Sequence, residues 1–131
     1  GGEPTIHKDL PAFLKNIRNI GLKIKLDTNG SNPDMLEYLL KQGLLDALAV
    51  DVKAPPEKYP EVTGVSVDTE AVWRSLRLAA ASGLTVCFRT TLIPELDKED
   101  IEKVKAIVVE QLGAEHKLQK YREGGSFDLQ R

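Results

Sequence analysis

Cysteine is almost absent from this chain of 131 residues: Cys87 stands alone, which excludes an internal disulfide and a tetrathiolate metal site built from these residues. A reducing, cytoplasmic setting is therefore expected. An excess of charge of one sign is also lacking. Eighteen Lys and Arg against twenty Asp and Glu leave a formal charge of -2, so no broad basic field is offered to nucleic acid or to an anionic membrane. No apolar run approaches the roughly 18 to 20 residues of a membrane helix, and no charged-then-apolar leader stands at the start. His7 and His116 are too isolated to be claimed as metal ligands. A partner must be recognised through local sites.

What is present is an ordinary folding composition, 41% hydrophobic and 29% charged, sized for one domain or a piece of a larger one. The chain opens Gly1-Gly2-Glu3 without a Met, so a processed or excised fragment is expected. Helix and strand patterns then alternate. A helix over 8–20 carries Leu10, Phe13, Leu14, Ile17 and Ile20 at the spacing of one face, with Pro11 in its first turn and Gly21 as its stop. A strand over 22–26 runs into the turn-forming Asp27-Thr28-Asn29-Gly30. Ser31 or Asn32 caps a helix over 33–42 with Met35, Leu36, Leu39 and Leu40 inward.

The almost wholly apolar run over 44–52 reads as a central parallel strand buried on both faces. The proline-rich segment 54–66 reads as irregular, and a helix from Asp68 or Thr69 to about Ser82 follows, with Val72, Leu76 and Ala79 or Ala80 inside. A strand over 84–92, a helix over 97–112 and a short strand over 116–121 complete the pattern, with a frayed tail at about 123–131. This alternation predicts an α/β fold of parallel βαβ units. Four strands are too few for a closed barrel of about eight, so the chain is either a small open sheet or part of a barrel whose first strand is missing.

Candidate chemistry gathers at the strand ends. Gly1-Gly2-Glu3 exposes backbone beside one acidic acceptor, which suits an ammonium group, although Gly-Gly turns followed by Glu are common. Asp27 and Asp51 end two successive strands and invite a cation or an ammonium between them, with Thr28 adding an oxygen; equally, Asp27 and Asn29 fit plain turn chemistry. Asp51 interrupts a buried run, where an ionised group is costly without a partner, and Lys53, two residues on, is the expected one. Arg89 shares a strand face with Cys87 and suits a carboxylate or phosphate, or structural pairing with Asp51. Cys87 itself and Trp73 read as core.

Five stretches occur in one order: Gly1-Gly2-Glu3-Pro4-Thr5, Leu26 to Pro33, Ala49 to Pro55, Tyr59 to Thr63-Gly64, and Phe88-Arg89-Thr90-Thr91. Together, from Gly1 to about Arg122, they resemble the radical S-adenosylmethionine activating enzymes of the anaerobic ribonucleoside-triphosphate reductase and pyruvate formate-lyase kinds. The resemblance implies an open, partial parallel (β/α) barrel that binds S-adenosylmethionine on a [4Fe–4S] cluster. It implies an oxidoreductase that makes a 5′-deoxyadenosyl radical, abstracts hydrogen from a glycine of a partner glycyl radical enzyme, and draws on a donor such as flavodoxin or ferredoxin.

By the same resemblance Gly1, Gly2 and Glu3 receive the methionyl amino group, and Asp27, Thr28, Asn29, Asp51, Lys53 and Arg89 lie at the cofactor. Asp27, Thr28 and Asp51, with a carbonyl near Ala49, hold a monovalent cation, and residues 119–122 approach the adenosyl end. No residue of this chain is implied as catalytic. The family's Cys-x3-Cys-x2-Cys loop precedes Gly-Gly-Glu and does not occur in this sequence, so the chain alone is expected to be silent, a single incomplete domain over 1–131. A missing strand is also expected to expose an apolar barrel interior and to drive self-association. Two other readings stand beside it: a divalent-metal hydrolase or lyase using Asp27, Asp51 and a histidine, and a non-catalytic barrel half that docks onto a larger enzyme.

Overall fold

The computed structural model describes residues 2–63 and 67–121. The frayed tail expected at 123–131 lies outside them, as do Gly1, Gly64 and Arg122. Helices α1 (Leu10–Ile20), α2 (Pro33–Lys41), α3 (Tyr59–Thr63), α4 (Thr69–Ala80) and α5 (Lys98–Lys105) are interleaved with strands β1 (Lys25–Thr28), β2 (Ala47–Asp51), β3 (Thr85–Leu92) and β4 (Glu115–Lys120). The strands form one parallel sheet in the order β1-β2-β3-β4. No order reversal occurs, which sets this sheet apart from doubly wound folds and gives it the progression of a barrel wall.

Side chains of a strand alternate between faces, and the register carries that alternation across the sheet. Leu26 of β1, Leu48 and Val50 of β2, and Phe88 of β3 share one face and pack with Leu10 and Leu14 of α1, Leu36 and Leu39 of α2, Leu76 and Ala79 of α4, Val104 of α5, and Val108 just beyond it. The opposite parity contributes no member to that cluster. It carries Asp27, Ala49, Asp51, Cys87, Arg89, Lys117 and Gln119. Among the described residues the exposed apolar interior expected of an incomplete barrel is therefore not found: the face that would line a barrel is polar, and its apolar positions on β2 are the small Ala47 and Ala49.

Several local expectations change. Phe13 and Ile20 are 59% and 73% exposed. They lie about 60 to 80° round the helix from the stripe of Leu10, Leu14 and Ile17, on the flank away from α2, whose groove with α1 is bordered by Lys8, Pro11 and Lys15. The proline-rich segment is not wholly irregular, because Pro56 opens a single turn over Pro56–Lys58 that leads into α3. There Tyr59 is buried and its hydroxyl accepts from the Lys53 N–H at 2.9 Å. The helix expected over 97–112 is divided: α5 buries Val104, and the chain continues more loosely wound over Ala106–Gln111, where Val108 is buried.

The loop after β1 is set by short-range bonds. Asn32 caps α2, its Oδ1 accepting from the Met35 N–H at 3.2 Å, while its Nδ2 donates to the Thr5 carbonyl at 2.8 Å. Gly30 adopts φ +77°, and a Cβ there would come within 3.4 Å of the Ser75 Cβ, whose hydroxyl donates to the Gly30 carbonyl at 2.8 Å. Gly30→Ala is expected to lower stability by roughly 1–2 kcal/mol from the left-handed backbone, read as a reduced urea midpoint at unchanged m-value.

His116 of β4 faces the helices. The Thr90 hydroxyl donates its single proton to the Val52 carbonyl at 2.7 Å, so the His116 Nε2 at 2.9 Å must be the donor to Thr90. Nδ1 is buried without a hydrogen-bond partner. Burial, then the nearby Lys105 ammonium, hold the imidazole below the usual histidine range. The folded chain thus binds this proton less readily than the unfolded one: stability is full above the ordinary histidine value and is lost as pH falls towards the folded value. The urea midpoint is expected to be lower at about pH 5 than at about pH 7.5, and the difference to shrink in His116→Gln.

Candidate functional site

The site residues meet at the carboxyl edge of the sheet, where parallel strands deliver side chains to the loops that lead into the next helix. Asp51, the last residue of β2, is in register with Arg89 of β3, and the Arg89 Nη2 lies 3.2 Å from the Asp51 Oδ1. The same Nη2 lies 3.6 Å from the Asp27 Oδ2 on β1. One guanidinium therefore joins three neighbouring strands, and its reach across β2 is compatible with the small side chain of Ala49, in register with Asp27 and fully buried. Two carboxylates share one guanidinium, and Lys53 brings a second positive charge to the cleft beside them.

The expected Asp51–Lys53 pair is not formed. Asp51 pairs across the sheet with Arg89, because β2 ends at Asp51 and Lys53 has already left the strand and is exposed. Its backbone N–H is held by Tyr59, whose phenol burial pushes up to about 12.

Glu3 is more heavily engaged than its place in an entry loop suggests. One carboxylate oxygen accepts from the Asn29 N–H at 2.7 Å; the other accepts from the Thr28 hydroxyl at 2.6 Å, from the Thr5 N–H at 3.2 Å and from the Thr5 hydroxyl. Four donors occupy a carboxylate with about four lone-pair positions. Glu3 thus pins the Gly2 loop to the end of β1. Thr28 stands on the opposite face from Asp27, 3% exposed, its hydroxyl donating to Glu3 and accepting from the Gly30 N–H at 3.2 Å. Gly2 is exposed, with nothing within 4 Å of an added Cβ.

Beside the Asp51–Arg89 pair lies a cleft of about 320 Å³. Its floor is Asp51, Arg89 and Thr91; Lys53 stands at one side, Val62 and Thr63 of α3 form one wall, and Ile93 of the loop after β3 forms another. The Arg89 Nε is buried without a hydrogen-bond partner. Cys87 lies on the same face, half-buried, and burial pushes its thiol up. Among the described residues no three His, Cys, Asp or Glu side chains gather as a metal group, and no helix is long and apolar enough to cross a membrane.

The structure thus brings together Asp27, Asp51 and Arg89, with Lys53 at the cleft, while Glu3, Thr28 and Asn29 form an adjoining hydrogen-bonded clamp. Sequence reasoning missed Thr5, Ser75 and the anchoring role of Tyr59. The signal available for Tyr59 was its position as a lone aromatic residue in a proline-rich loop.

Residues 1–107 match the Radical SAM superfamily. A Methanocaldococcus jannaschii protein, provisionally named a glycyl-radical enzyme activating enzyme, is 35% identical over 114 residues, covering 82% of this chain and 48% of that protein. A Methanococcus vannielii protein, provisionally named a GTP 3',8-cyclase, is 36% identical over 106 residues, covering 79% of this chain and 35% of its own length. The chain thus spans about half or less of the length of these curated relatives. A solved domain of pyruvate-formate lyase-activating enzyme from Bacteroides vulgatus matches with a TM-score of 0.76 at 20% identity, covering 99% of this chain and 83% of that one. SuiB of Streptococcus suis, solved bound to S-adenosylmethionine, matches with a TM-score of 0.71 at 17% identity, covering 98% and 30%. These two likenesses concern the fold, which is the partial parallel (β/α) barrel expected from the sequence. With the family match extending over most of its length, the chain belongs to the radical SAM superfamily.

Proposed function

We propose that these residues form the S-adenosylmethionine-holding part of an activase for a glycyl radical enzyme. The observation that carries the activase reading is the 35% identity, over 82% of the chain, to the relative of that name. When bound, S-adenosylmethionine supplies a 5′-deoxyadenosyl radical on reductive cleavage, which removes hydrogen from a glycine of the partner enzyme.

The residues at the sheet edge suit this ligand. Its methionyl end carries a carboxylate and an ammonium, and the edge offers a guanidinium flanked by two carboxylates. Arg89 binds the carboxylate. Asp51 and Asp27 hold Arg89 in place and, with their remaining carboxylate oxygens, accept the ammonium or a monovalent cation. Glu3, with its acceptors occupied, orients the Gly2 loop towards the amino group. Thr28 and Asn29 hold that loop to the strand end, Lys53 borders the cleft, and Val62 and Ile93 present apolar surface to the less polar portion of the ligand.

A [4Fe–4S] cluster does not fit these residues, because it is held by several thiolates and Cys87 is the single cysteine of the sequence. These residues bind and orient; the thiolates and the reducing electron come from outside them. A flavodoxin- or ferredoxin-type donor and a cytoplasmic location belong to the same proposal.

A second reading, a GTP 3',8-cyclase, is favoured by the 36% identity to the relative so named. The two part on what the whole protein consumes. Full-length protein, reconstituted with iron and sulfide and reduced, is expected to release 5′-deoxyadenosine and to raise a glycyl radical signal by electron paramagnetic resonance on its partner. GTP-dependent release without a glycyl radical would favour the cyclase instead.

Binding gives a separate check. Arg89→Gln and Asp51→Ala are expected to weaken S-adenosylmethionine binding, measured by equilibrium dialysis, by roughly ten- to a hundredfold, the scale of a lost charge-assisted bond. Asp27→Ala is expected to act less, since Asp27 is more exposed and farther from Arg89. Unchanged affinity in Arg89→Gln would sink the assignment of this edge.

A further inference from the structure

Lys58 belongs to none of the strand-end motifs, yet it joins the two walls of the cleft. Its Nζ donates to the Asp100 Oδ2 at 2.5 Å and to the Glu95 carbonyl at 3.0 Å. Asp100 is 7% exposed and locked into the start of α5, where it accepts from the Asp97 N–H at 3.0 Å while its own N–H donates to the Asp97 Oδ1 at 2.8 Å. The Lys58 ammonium, more than any other group, holds the Asp100 carboxyl below the usual carboxylate range, and Asp100 in turn raises Lys58.

On one side of this bond, Lys58 immediately precedes α3, whose Val62 and Thr63 form one wall. On the other side, Glu95 follows the Ile93 wall, and the Leu96 N–H donates to the Ile93 carbonyl at 3.1 Å. Helix α3 has five residues, far short of the roughly 12 to 15 that an isolated helix needs for even marginal stability. It lies outside the main core and rests on a small cluster of Ala54, Tyr59 and Val72. A parallel link from Lys103 to Glu57 at 3.3 Å is exposed on both sides and so constrains little.

We propose that Lys58 is a positioning residue: its bond to Asp100 sets the spacing between α3 and the loop carrying Ile93, and so sets the affinity of the cleft for its ligand. The ligand is the S-adenosylmethionine of the preceding proposal, on which this inference rests. The Tyr59 hydroxyl on the Lys53 N–H couples the same spacing to the loop after β2.

Amide hydrogen exchange on the full-length protein is a test that needs no ligand. Lys58→Met is expected to speed exchange at Lys53, Val62 and Thr63 by about tenfold, leaving the strand amides of β2 and β3 unchanged, and Asp100→Asn to act likewise. Lys58→Arg, which keeps the charge, is expected to stay near the wild type. Affinity for S-adenosylmethionine in the cluster-loaded protein should fall by about tenfold in Lys58→Met and recover in Lys58→Arg. Exchange in Lys58→Met that is unchanged, or raised uniformly across the sheet, would overturn the proposal. So would local loosening with affinity within about twofold of wild type, where a tenfold change was expected. If the wild type binds no S-adenosylmethionine, the ligand reading fails by itself, and the exchange result still decides whether Lys58 sets the spacing.

Discussion

The site depends on the one-sidedness of the sheet. In four parallel strands held in register, a single parity of side chains carries Leu26, Leu48, Val50 and Phe88 into the helices, and burial of that face is what keeps the strands together. The other parity is released from packing duty. It is there that Asp27, Asp51 and Arg89 stand, drawn from three strands that need only stay aligned for the charges to meet. Apolar burial on one side thus provides alignment for ionic chemistry on the other, and neither side chain set could be moved by one residue without exchanging roles.

A second layer of order comes from polar groups that satisfy one another. Glu3 closes the entry loop onto Thr28 and Asn29, Thr28 passes that restraint to Gly30, and Ser75 of α4 holds Gly30 from behind. The chain of bonds runs from the first described residues to the fourth helix. The loop after β1 is therefore held by sequence-distant partners, which keep it ordered without a core of its own.

The alternation of helix and strand was legible in the sequence, because each element buries one stripe and the stripe leaves a period. The strand-end acids were legible for the same reason: a carboxylate closing an apolar run is anomalous. The partner of Asp51 was legible only as a choice between Lys53 and Arg89. Spacing along the chain favoured Lys53, whereas pairing in a sheet is decided by the neighbouring strand, and register put Arg89 there. The burial of Thr28 could have been inferred from its adjacency to Asp27, since consecutive strand residues point to opposite faces. Phe13 and Ile20 misled because helical period records which residues are apolar, not which flank has a neighbour. The short helix α3 was hidden by its prolines, which are tolerated where a helix begins. Lys58 left no local trace, its partner being 42 positions away.

Ala49 carries a constraint of a different kind. It is fully buried in register between Asp27 and Cys87, on the face where Arg89 crosses from β3 towards β1. A longer side chain there would stand in the path of the guanidinium and separate it from Asp27. Position 49 thus constrains the layout of the charges although the residue bears no charge and makes no side-chain hydrogen bond. A lineage could retain every ionic residue of this edge and still lose its layout through the gain of two or three carbon atoms.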